Sequence, residues 1–153
     1  MSQRMPYQTH AAEGLKRLGS LYGYVAKSGL PKTLVDLAFL RASQINGCAY
    51  CIDSHTRDLV NEGVPMEKLV LLQVWDEAGA LFTEQERAAL AWTEAVTLVA
   101  STHVPEDAYE AASKVFSEKE LADLTLAIGV INVYNRLAIS FRRTPESLLR
   151  NAA

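Results

Sequence analysis

One segment of this chain is apolar on nearly every side of a helix. It is LTLAIGVINVY, residues 124–134, and it follows Ser117 and Glu120, which form a capping-box pattern. A helix without a polar face is buried on most sides. In a domain of this size one way to bury it is against a second copy of the chain. We therefore expect a homo-oligomer in which the helix over about 121–139 is partly covered by other subunits.

Three polar residues interrupt the second half of this apolar helix. Asn132, Asn135 and Arg136 recur at helical spacing on one side of it. We interpret them as a polar contact between helices or subunits, with a direct catalytic role as the less favoured alternative. They also make the apolar stretch 124–140 too polar and too short for a membrane span, so we expect no membrane partner.

The rest of the chain also has the pattern of helices, because strict apolar–polar alternation is almost absent. Proline, glycine and capping-box positions stand between the helical blocks and mark their ends. We therefore predict an all-α domain that spans residues 1–153 and has about seven helices. Their approximate bounds are 11–27, 31–46, 48–61, 65–75, 84–101, 105–116 and 118–141.

Composition limits the partners and the compartment. The net charge is -3 and the pI is about 5.6, so the charge does not favour nucleic acid as a partner. The first ten residues, MSQRMPYQTH, lack the apolar core of a secretion signal, and we expect a cytoplasmic protein. In a reducing compartment, paired cysteines are more often metal-binding or redox-active than permanently cross-linked.

The two cysteines of the chain occur together in SQINGCAYCIDSHTRDL, residues 43–59. Gly47 ends one predicted helix and Cys48 begins the next. With 3.6 residues per turn, Cys51 lies about 60° and His55 about 20° from Cys48 around the helix. The three side chains therefore share one face. Cys51 and His55 are four residues apart, which makes them neighbours.

Two structural interpretations of this group are weak. A disulfide between Cys48 and Cys51 can form, since residues three apart on a helix are about 5 Å apart at Cα. So short a loop, however, would stabilise the fold very little. A structural zinc ion needs four ligands, and Cys48, Cys51 and His55 supply three. His10 and His103 lie in polar contexts that suit surface or capping histidines, and we expect no metal.

Redox chemistry needs only the residues that are present, and we favour it. Cys48 and Cys51 lie in the first helical turn, where the helix dipole stabilises a thiolate. His55, one turn further on, can accept a thiol proton directly or through a water molecule. The dipole favours Cys48 as the more acidic thiol, whereas the position of the histidine favours Cys51.

One upstream acid can reach the same region. If the helix before Gly47 packs antiparallel to the cysteine helix, Asp36 lies about 16 Å back from the turn. His55 then lies about 10 Å beyond the turn, so the two residues differ in height by about one helical turn. Asp36 could orient His55 or share its proton. It could equally be an acid that the dipole favours near the start of its own helix.

The segment LRASQINGCAYCIDSHTRDL, residues 40–59, resembles the alkylhydroperoxidase D-like, or carboxymuconolactone decarboxylase, family. The similarity extends from about residue 33 to residue 142. The pattern of the family is an acid, eleven intervening residues, Cys-x-x-Cys, three further residues and a histidine. In this chain the pattern falls on Asp36, Cys48, Cys51 and His55.

The resemblance implies a fold, an assembly and an activity. Members are all-α and assemble as trimers or hexamers, and compact chains with a single repeat commonly form hexamers. The peroxidases use the second cysteine, here Cys51, to attack the peroxide and the first, here Cys48, to resolve it. The acid and the histidine, here Asp36 and His55, form a proton relay. An external dithiol of the lipoyl type or a similar donor restores the thiols, and no bound cofactor is implied.

The chain departs from the family pattern at two positions. The acid is usually Glu, and Asp36 is one methylene shorter. The best-known peroxidases carry a histidine between the cysteines, where this chain has Tyr50, which cannot accept a proton at neutral pH as an imidazole can. The leading hypothesis is a thiol peroxidase acting on hydroperoxides. The alternatives are a decarboxylase or lyase of a lactone acid, which needs no dithiol, and a non-enzymatic redox sensor.

Overall fold

The computed structural model describes residues 2–150, and its regular elements over that range are all helices. The α-helices found there are α1 (Tyr7–His10), α2 (Ala12–Val25), α3 (Lys32–Asn46), α4 (Ala49–Asn61), α5 (Met66–Leu71), α6 (Glu84–Thr97), α7 (Val99–Thr102), α8 (Glu106–Ser113), α9 (Glu118–Phe141) and α10 (Glu146–Arg150). Two short 3-10 helices, Leu72–Val74 and Gly79–Leu81, lie between α5 and α6.

The all-α prediction is confirmed, and each of the seven predicted helices is present near its predicted bounds. The predicted number is too low because α1, α7 and α10 have only four or five residues, too few for an apolar period to show. The predicted helix over 84–101 ends early, at Thr97, and α7 follows after Leu98. There the hydroxyl of Thr102 donates to the carbonyl oxygen of Ala95 (2.7 Å), which helps to satisfy a carbonyl at the helix end.

The helices pack around α3, which is buried on two faces. Residues 34–40 of this helix are all buried. Phe39 and Ala42 lie in a cluster that also contains side chains of α4, α6 and α9, whereas Leu37 and Leu40 lie in a second cluster with side chains of α4, α5 and α6. Burying each leucine contributes about 1.5–3 kcal/mol. The position of α3, and of the turn at its end, is therefore strongly determined.

Helix α9 packs against α2, α3, α4, α6 and α8. The side-chain amide of Asn46, at the end of α3, donates to Oδ1 of Asn132 (3.0 Å) and to Oδ1 of Asn135 (2.9 Å). Among the described residues Arg136 bonds only to Asn132 of its own helix, and the predicted polar contact between helices is confirmed for Asn132 and Asn135. It joins the apolar helix to the end of the helix that precedes the cysteines.

Helix α9 is longer than the apolar stretch from which it was predicted. Over Glu118–Phe141 it is long and apolar enough, by length and composition alone, to cross a membrane, which corrects the judgement that it is too short and too polar. A helix at the core of a helical bundle passes the same test. Helix α9 has that position and buries Asp123 and Asn135, while only 39% of its apolar window is buried within the described chain.

One face of α9 is uncovered within the described chain. Ala122, Leu126, Gly129 and Val133 recur along this face, and Leu126 and Val133 are 43% and 44% exposed. Spacings of three and four residues place them in one stripe. This stripe is the part of the helix that other subunits would cover. The homo-oligomer, and the preference for a hexamer over a trimer, stay predictions.

A very short turn joins α3 to α4. Gly47 has a left-handed conformation (φ 69°, ψ 35°), which other residues adopt at a cost of about 1–2 kcal/mol. Its amide donates to the carbonyl oxygen of Gln44 (3.2 Å), and the amide of Cys48 donates to that of Ser43 (2.9 Å). These bonds satisfy the last carbonyls of α3. Helix α4 begins directly afterwards and packs against α3.

Replacing Gly47 should destabilise the protein through its backbone alone. Gly47→Ala should lower the free energy of unfolding by about 1–2 kcal/mol, because alanine must adopt the left-handed conformation, and no neighbouring atom would clash with the new methyl group. Gly19→Ala, in equally open space inside α2, is the matched control. It should raise the free energy of unfolding by about 0.5–1 kcal/mol. Denaturant titration measures both, and changes of the same sign would contradict the role given to Gly47.

A charge in the exposed stripe of α9 should disrupt the predicted oligomer. Val133→Glu would place a carboxylate in an apolar interface, so we expect a species of smaller mass. Light scattering at low micromolar concentration measures the mass. Val60→Glu, at a valine of α4 that is also 44% exposed, controls for the added charge. A wild-type protein that is monomeric would refute the predicted assembly.

Candidate active site

Cys48 and Cys51 lie together at the start of α4. Cys48 is the N-cap residue, with extended backbone angles (φ -86°, ψ 92°), and its Sγ accepts a hydrogen bond from the amide of Cys51 (3.4 Å). Both thiols are free, and the two residues are only 1% and 4% exposed. The structure therefore brings the two predicted redox cysteines together within one turn, at the positive end of the helix dipole.

The two thiols differ in acidity. The pKa of Cys48 is lowered to about 7, chiefly by its side-chain hydrogen bond with Cys51. The pKa of Cys51 is raised by the same hydrogen bond, by burial and by the charge on Cys48. Near neutral pH the pair therefore loses its first proton from Cys48, and the Cys51 thiol donates to the resulting thiolate. The resting thiolate is therefore on Cys48, the cysteine that the helix-dipole argument favoured. The assignment of Cys51 as the attacking sulfur stays a prediction.

A buried amide lies behind the cysteines. Asn135 of α9 is fully buried, its Nδ2 donates to Oγ of Ser43 (3.0 Å), and its Oδ1 accepts from Nδ2 of Asn46 (2.9 Å). Hydrogen bonding from Asn135 also contributes to lowering the pKa of Cys48 and opposes the rise in that of Cys51. The residue that joins α9 to α3 is thus also a neighbour of the sulfur atoms.

His55 lies one turn beyond Cys51 and is 9% exposed. Burial lowers the pKa of His55 to about 4, so the imidazole is neutral at neutral pH and can accept a proton. Its ring packs against the ring of Phe39, with centroids 5.2 Å apart. Its Nδ1 is buried and has no hydrogen-bond partner within the described chain. An unpaired ring nitrogen on a residue that lines the same pocket as a thiol suits a proton acceptor.

Asp36 is held away from His55, and no hydrogen bond or ion pair joins them within the described residues. Asp36 is 3% exposed and pairs with Lys32 (2.5 Å), which also pairs with Glu62. Burial raises the pKa of Asp36 to about 6 although Lys32 opposes the change. An acid that does lie near His55 is Asp58, whose Oδ2 is 3.9 Å from Nδ1. The relay between Asp36 and His55 stays a prediction.

Two adjoining cavities reach the cysteines, and both are lined by Tyr50, Ala138 and Arg143. The first, which we call the aromatic pocket, has a volume of about 250 Å³ and contains Cys51 and His55. Its apolar and aromatic walls include Tyr7, Tyr22, Phe39, Tyr50, Ile131 and Tyr134. The second, which we call the arginine cleft, has a volume of about 780 Å³ and contains Cys48 with Arg4, Arg142 and Arg143. Cys51 borders only the first of these two cavities, and Cys48 only the second.

Sequence analysis missed most of the walls of these cavities. Tyr22 and Tyr134 belong to α2 and α9, and they meet His55 only because those helices pack together. Arg142 and Arg143 look like an ordinary short basic pair in the sequence. The position of Asp58 near His55 could have been predicted from the sequence, because Asp58 follows His55 by three residues and therefore lies on the same face of α4.

Histidines outside the cysteine helix lie on the surface. His10 is exposed in α1, and His103 is exposed and caps the end of α7, as expected for surface and capping residues. Over residues 2–150, no group of three or more Cys, His, Asp and Glu side chains is arranged to hold a metal ion. The expectation that the protein binds no metal stays a prediction.

Comparison with known sequences extends the similarity well beyond the cysteine motif. A sequence model of the carboxymuconolactone decarboxylase family matches residues 12–95, which are more than half of the chain. This chain belongs to the carboxymuconolactone decarboxylase family. The uncharacterized protein YdfG of Bacillus subtilis is 36% identical over 140 residues, which cover 92% of this chain and 95% of that protein.

Two further relatives of this decarboxylase-family chain have names that refer to antioxidant chemistry. The alkyl hydroperoxide reductase AhpD of Methylocella silvestris is 44% identical over 45 residues, which cover 29% of this chain and 25% of that protein. The solved structure of ATU0492 from Agrobacterium tumefaciens is 41% identical with a TM-score of 0.90, covering 94% of this chain and 98% of that one. It is described as a protein of unknown function and a candidate antioxidant-defence protein AhpD. The predicted family and its all-α fold are confirmed.

The acidity of the thiol pair can be measured directly. The rate of alkylation by iodoacetamide should follow a first ionisation at Cys48 with a pKa of about 7. In Cys51→Ala this pKa should rise, because the hydrogen bond that most lowers it is removed. In Cys48→Ala the pKa of Cys51 should fall, because the hydrogen bond and charge of Cys48 are lost. A pKa of Cys48 that is unchanged in Cys51→Ala would contradict the proton shared by the pair.

Proposed function

We propose that this protein is a thiol-dependent peroxidase that reduces hydroperoxides with the Cys48 and Cys51 pair. The supporting observation is a buried dithiol at the start of α4, with neutral His55 one turn away in the pocket of Cys51. Two adjacent thiols of unequal acidity suit a reaction that needs an attacking and a resolving sulfur. Family membership supports peroxidase or decarboxylase chemistry in general, and the preference for peroxide rests on the dithiol.

Cys51 is the attacking sulfur in this proposal, because it borders the aromatic pocket. Its proton moves to the Cys48 thiolate, to which it is hydrogen-bonded, or to the unpaired Nδ1 of His55. The Cys51 thiolate then forms a bond to the terminal peroxide oxygen, and the O–O bond breaks. The other oxygen takes up the transferred proton and leaves as an alcohol. Cys51 is left as a sulfenic acid.

Cys48 resolves the sulfenic acid from one turn away. Its thiolate sulfur attacks the sulfur of Cys51, the S–O bond breaks, the departing hydroxide takes up a proton from the solvent and leaves as water, and a disulfide forms. An external dithiol of the lipoyl type or a similar donor then restores both thiols, and no bound cofactor takes part. We further propose that the protein works in the cytoplasm as a homo-oligomer, with a hexamer favoured over a trimer.

The aromatic pocket favours an organic hydroperoxide as the substrate. Its volume of about 250 Å³ and its tyrosine, phenylalanine and isoleucine walls suit an apolar substituent better than they suit hydrogen peroxide. The hydroperoxide group would then lie between the sulfur of Cys51 and the ring of His55. Tyr50 borders this pocket in place of the usual family histidine.

Asp36 acts on His55 indirectly in this proposal. The positive charge of Lys32 contributes to lowering the pKa of His55, and Asp36 pairs with Lys32. Asp36 therefore reduces the effect of that charge and helps to keep His55 basic. Removing the carboxylate should lower the pKa of His55 further and weaken it as a proton acceptor.

Two other activities can be separated from this one. A decarboxylase or lyase of a lactone acid fits the family in general, but it needs neither thiol. A redox sensor needs the thiols but oxidises once without turnover. Peroxide consumption with a dithiol donor, measured with Cys48→Ser and Cys51→Ser, distinguishes them. If the wild type consumes peroxide repeatedly and each substitution abolishes this turnover, the result supports the peroxidase. If decarboxylation of a lactone acid survives each substitution, the result supports the lyase.

Removing His55 should slow the reaction of Cys51 with peroxide. His55→Ala should reduce the rate about 10²- to 10⁴-fold at neutral pH, as expected for the loss of a general base. The deficit should shrink as the pH rises, because hydroxide then removes the thiol proton. Asp36→Asn should give a smaller deficit of the same shape. Stopped-flow measurement of thiol oxidation across pH gives both values.

The exposed His103 provides the control for this experiment. His103→Ala should leave the rate unchanged, and thermal unfolding of each variant separates a loss of rate from a loss of fold. If the pH–rate curve of His55→Ala overlays that of the wild type, His55 has no part in the mechanism.

A further inference from the structure

We propose that the arginine cleft is the site at which a carboxylate-bearing thiol donor docks and attacks Cys48. This inference rests on the proposed function, since it assigns the reductive half of the same dithiol cycle to a second surface. Peroxide would reach Cys51 through the aromatic pocket, and the donor would reach Cys48 through the arginine cleft. The two reactants therefore need not exchange places in one pocket.

The arginine cleft lies where the end of α9 meets the start of α4. Cys48 and Tyr50 lie on one side of it, and the turn over residues 142–145 lies on another. Its volume of about 780 Å³ is roughly three times the 250 Å³ of the aromatic pocket. It therefore has room for a thiol-bearing chain together with a charged end group.

The cleft is positively charged in a chain whose net charge is -3. Arg4, Arg142 and Arg143 line it, whereas no described Asp or Glu does; the nearby carboxylate of Glu146 accepts from the hydroxyl of Tyr50, a lining residue (3.4 Å). A cleft lined by one sign of charge attracts ligands of the opposite sign. Guanidinium groups bind carboxylates through paired hydrogen bonds, so a carboxylate is the end group that the cleft suits.

The three arginines differ in how far they are already engaged. Arg4 donates from Nη1 to the carbonyl oxygen of Ser140 (2.9 Å), so it helps to hold the end of α9. The guanidinium of Arg143 lies over the ring of Tyr50, 3.8 Å from its centroid, which orients the group. Among the described residues, neither Arg142 nor Arg143 has a carboxylate partner. These two are the residues that we assign to the donor carboxylate.

The backbone holds this arginine pair in a defined turn. Arg142 ends α9 with a positive φ of 55°, a conformation that costs a residue with a side chain about 1–2 kcal/mol. The amide of Arg143 donates to the carbonyl oxygen of Ala138 (2.9 Å), which closes the turn. Both arginines are therefore held at a fixed helix end, and both line the cleft together with Cys48.

The reaction at Cys48 is a thiol–disulfide exchange. The donor thiolate forms a bond to Sγ of Cys48, the Cys48–Cys51 bond breaks, and its electron pair goes to Cys51, which takes up a proton. The second donor thiol loses its proton and attacks the donor sulfur of the mixed disulfide. Cys48 leaves as a thiolate, and the donor leaves as a disulfide. Two electrons thus pass from the dithiol to the protein.

The bond between the donor and Cys48 also makes it easier for Cys51 to leave. The hydrogen bond and the charge of Cys48 raise the pKa of Cys51 in the reduced protein. Neither is present while Cys48 is bonded to the donor. Cys51 is therefore a better leaving group at that stage than its acidity in the reduced pair would indicate.

The charge preference of the cleft can be measured without peroxidase activity. Reduced protein is alkylated with iodoacetate, a carboxylate, or with iodoacetamide, its neutral amide, and labelling of Cys48 is followed by mass mapping. The ratio of the two rates cancels any change in the thiolate fraction. We expect this ratio to fall about tenfold in the double variant Arg142→Gln, Arg143→Gln and to fall with added salt in the wild type.

Control variants separate an effect of the cleft on this ratio from an effect of the overall charge of the protein. Arg17→Gln removes one positive charge at an exposed position of α2 and should leave the ratio unchanged. The single variants Arg142→Gln and Arg143→Gln should each give a smaller fall, so the test remains available if the double variant does not fold. A ratio that is the same in wild type and cleft variants overturns the proposal. Failure of both reagents to label Cys48 also overturns it, because the cleft would not reach the sulfur.

The donor step has its own measurement. Protein oxidised to the disulfide is reduced with dihydrolipoate or with dihydrolipoamide, which carry the same dithiol and differ in a carboxylate or amide end. We expect dihydrolipoate to be faster with the wild type and to lose that advantage in the double variant. Mixed disulfides formed with 3-mercaptopropionate and trapped in acid should lie on Cys48.

These outcomes are distinct from failure of the proposed function. Mixed disulfides on Cys51, or equal rates with the two dithiols, overturn the donor site even if peroxide is consumed. Charge-dependent reduction at Cys48 in a protein that consumes no peroxide supports the donor site and overturns the peroxidase.

Discussion

The hydrogen bonds of the turn at Gly47 and Cys48 are the constraint on which the rest of the site depends. The left-handed glycine ends α3, and the bond from the Cys48 amide to the Ser43 carbonyl holds Cys48 at the N-cap position of the cysteine helix. One residue more or less between Cys48 and Cys51 would rotate Cys51 and His55 by about 100° around α4 relative to this turn. Cys51 and His55 would then leave the aromatic pocket. Because α3 is buried on both faces, it cannot move to compensate.

The same turn accounts for the unequal acidity of the two thiols. It places the Sγ of Cys48 where the amide and the thiol of Cys51 both donate to it, so the thiolate forms on Cys48 and the proton remains on Cys51. Each sulfur also borders a different one of the two adjoining cavities, although Arg143 lines both. Access, and not acidity, is therefore the basis for assigning the two half-reactions to two surfaces, because the more acidic thiol, Cys48, does not border the aromatic pocket.

The two sides of α9 have different environments. Asn135 faces α3 and the cysteines, whereas Val133 is two residues earlier and lies on the uncovered stripe. Two residues correspond to about 200° around a helix, so these side chains point in nearly opposite directions. Subunits that cover the stripe would therefore approach from the side of α9 opposite to Asn135. The apolar character of the helix on nearly every side follows from these two contacts, one present in the chain and one predicted.

The sequence by itself determined the elements and the reactive group. Glycine, proline and capping residues located the seven longer helices, and the spacing of Cys48, Cys51 and His55 placed them on one face of α4, because both depend only on local geometry. Tertiary structure decided what surrounds them. Asp36 pairs with Lys32 instead of His55, Asn135 reaches the thiols, and the pair Arg142–Arg143 lines a cleft beside Cys48. These contacts join residues far apart in the chain, and they depend on how α9 and α4 pack against α3, which no local pattern in the sequence specifies.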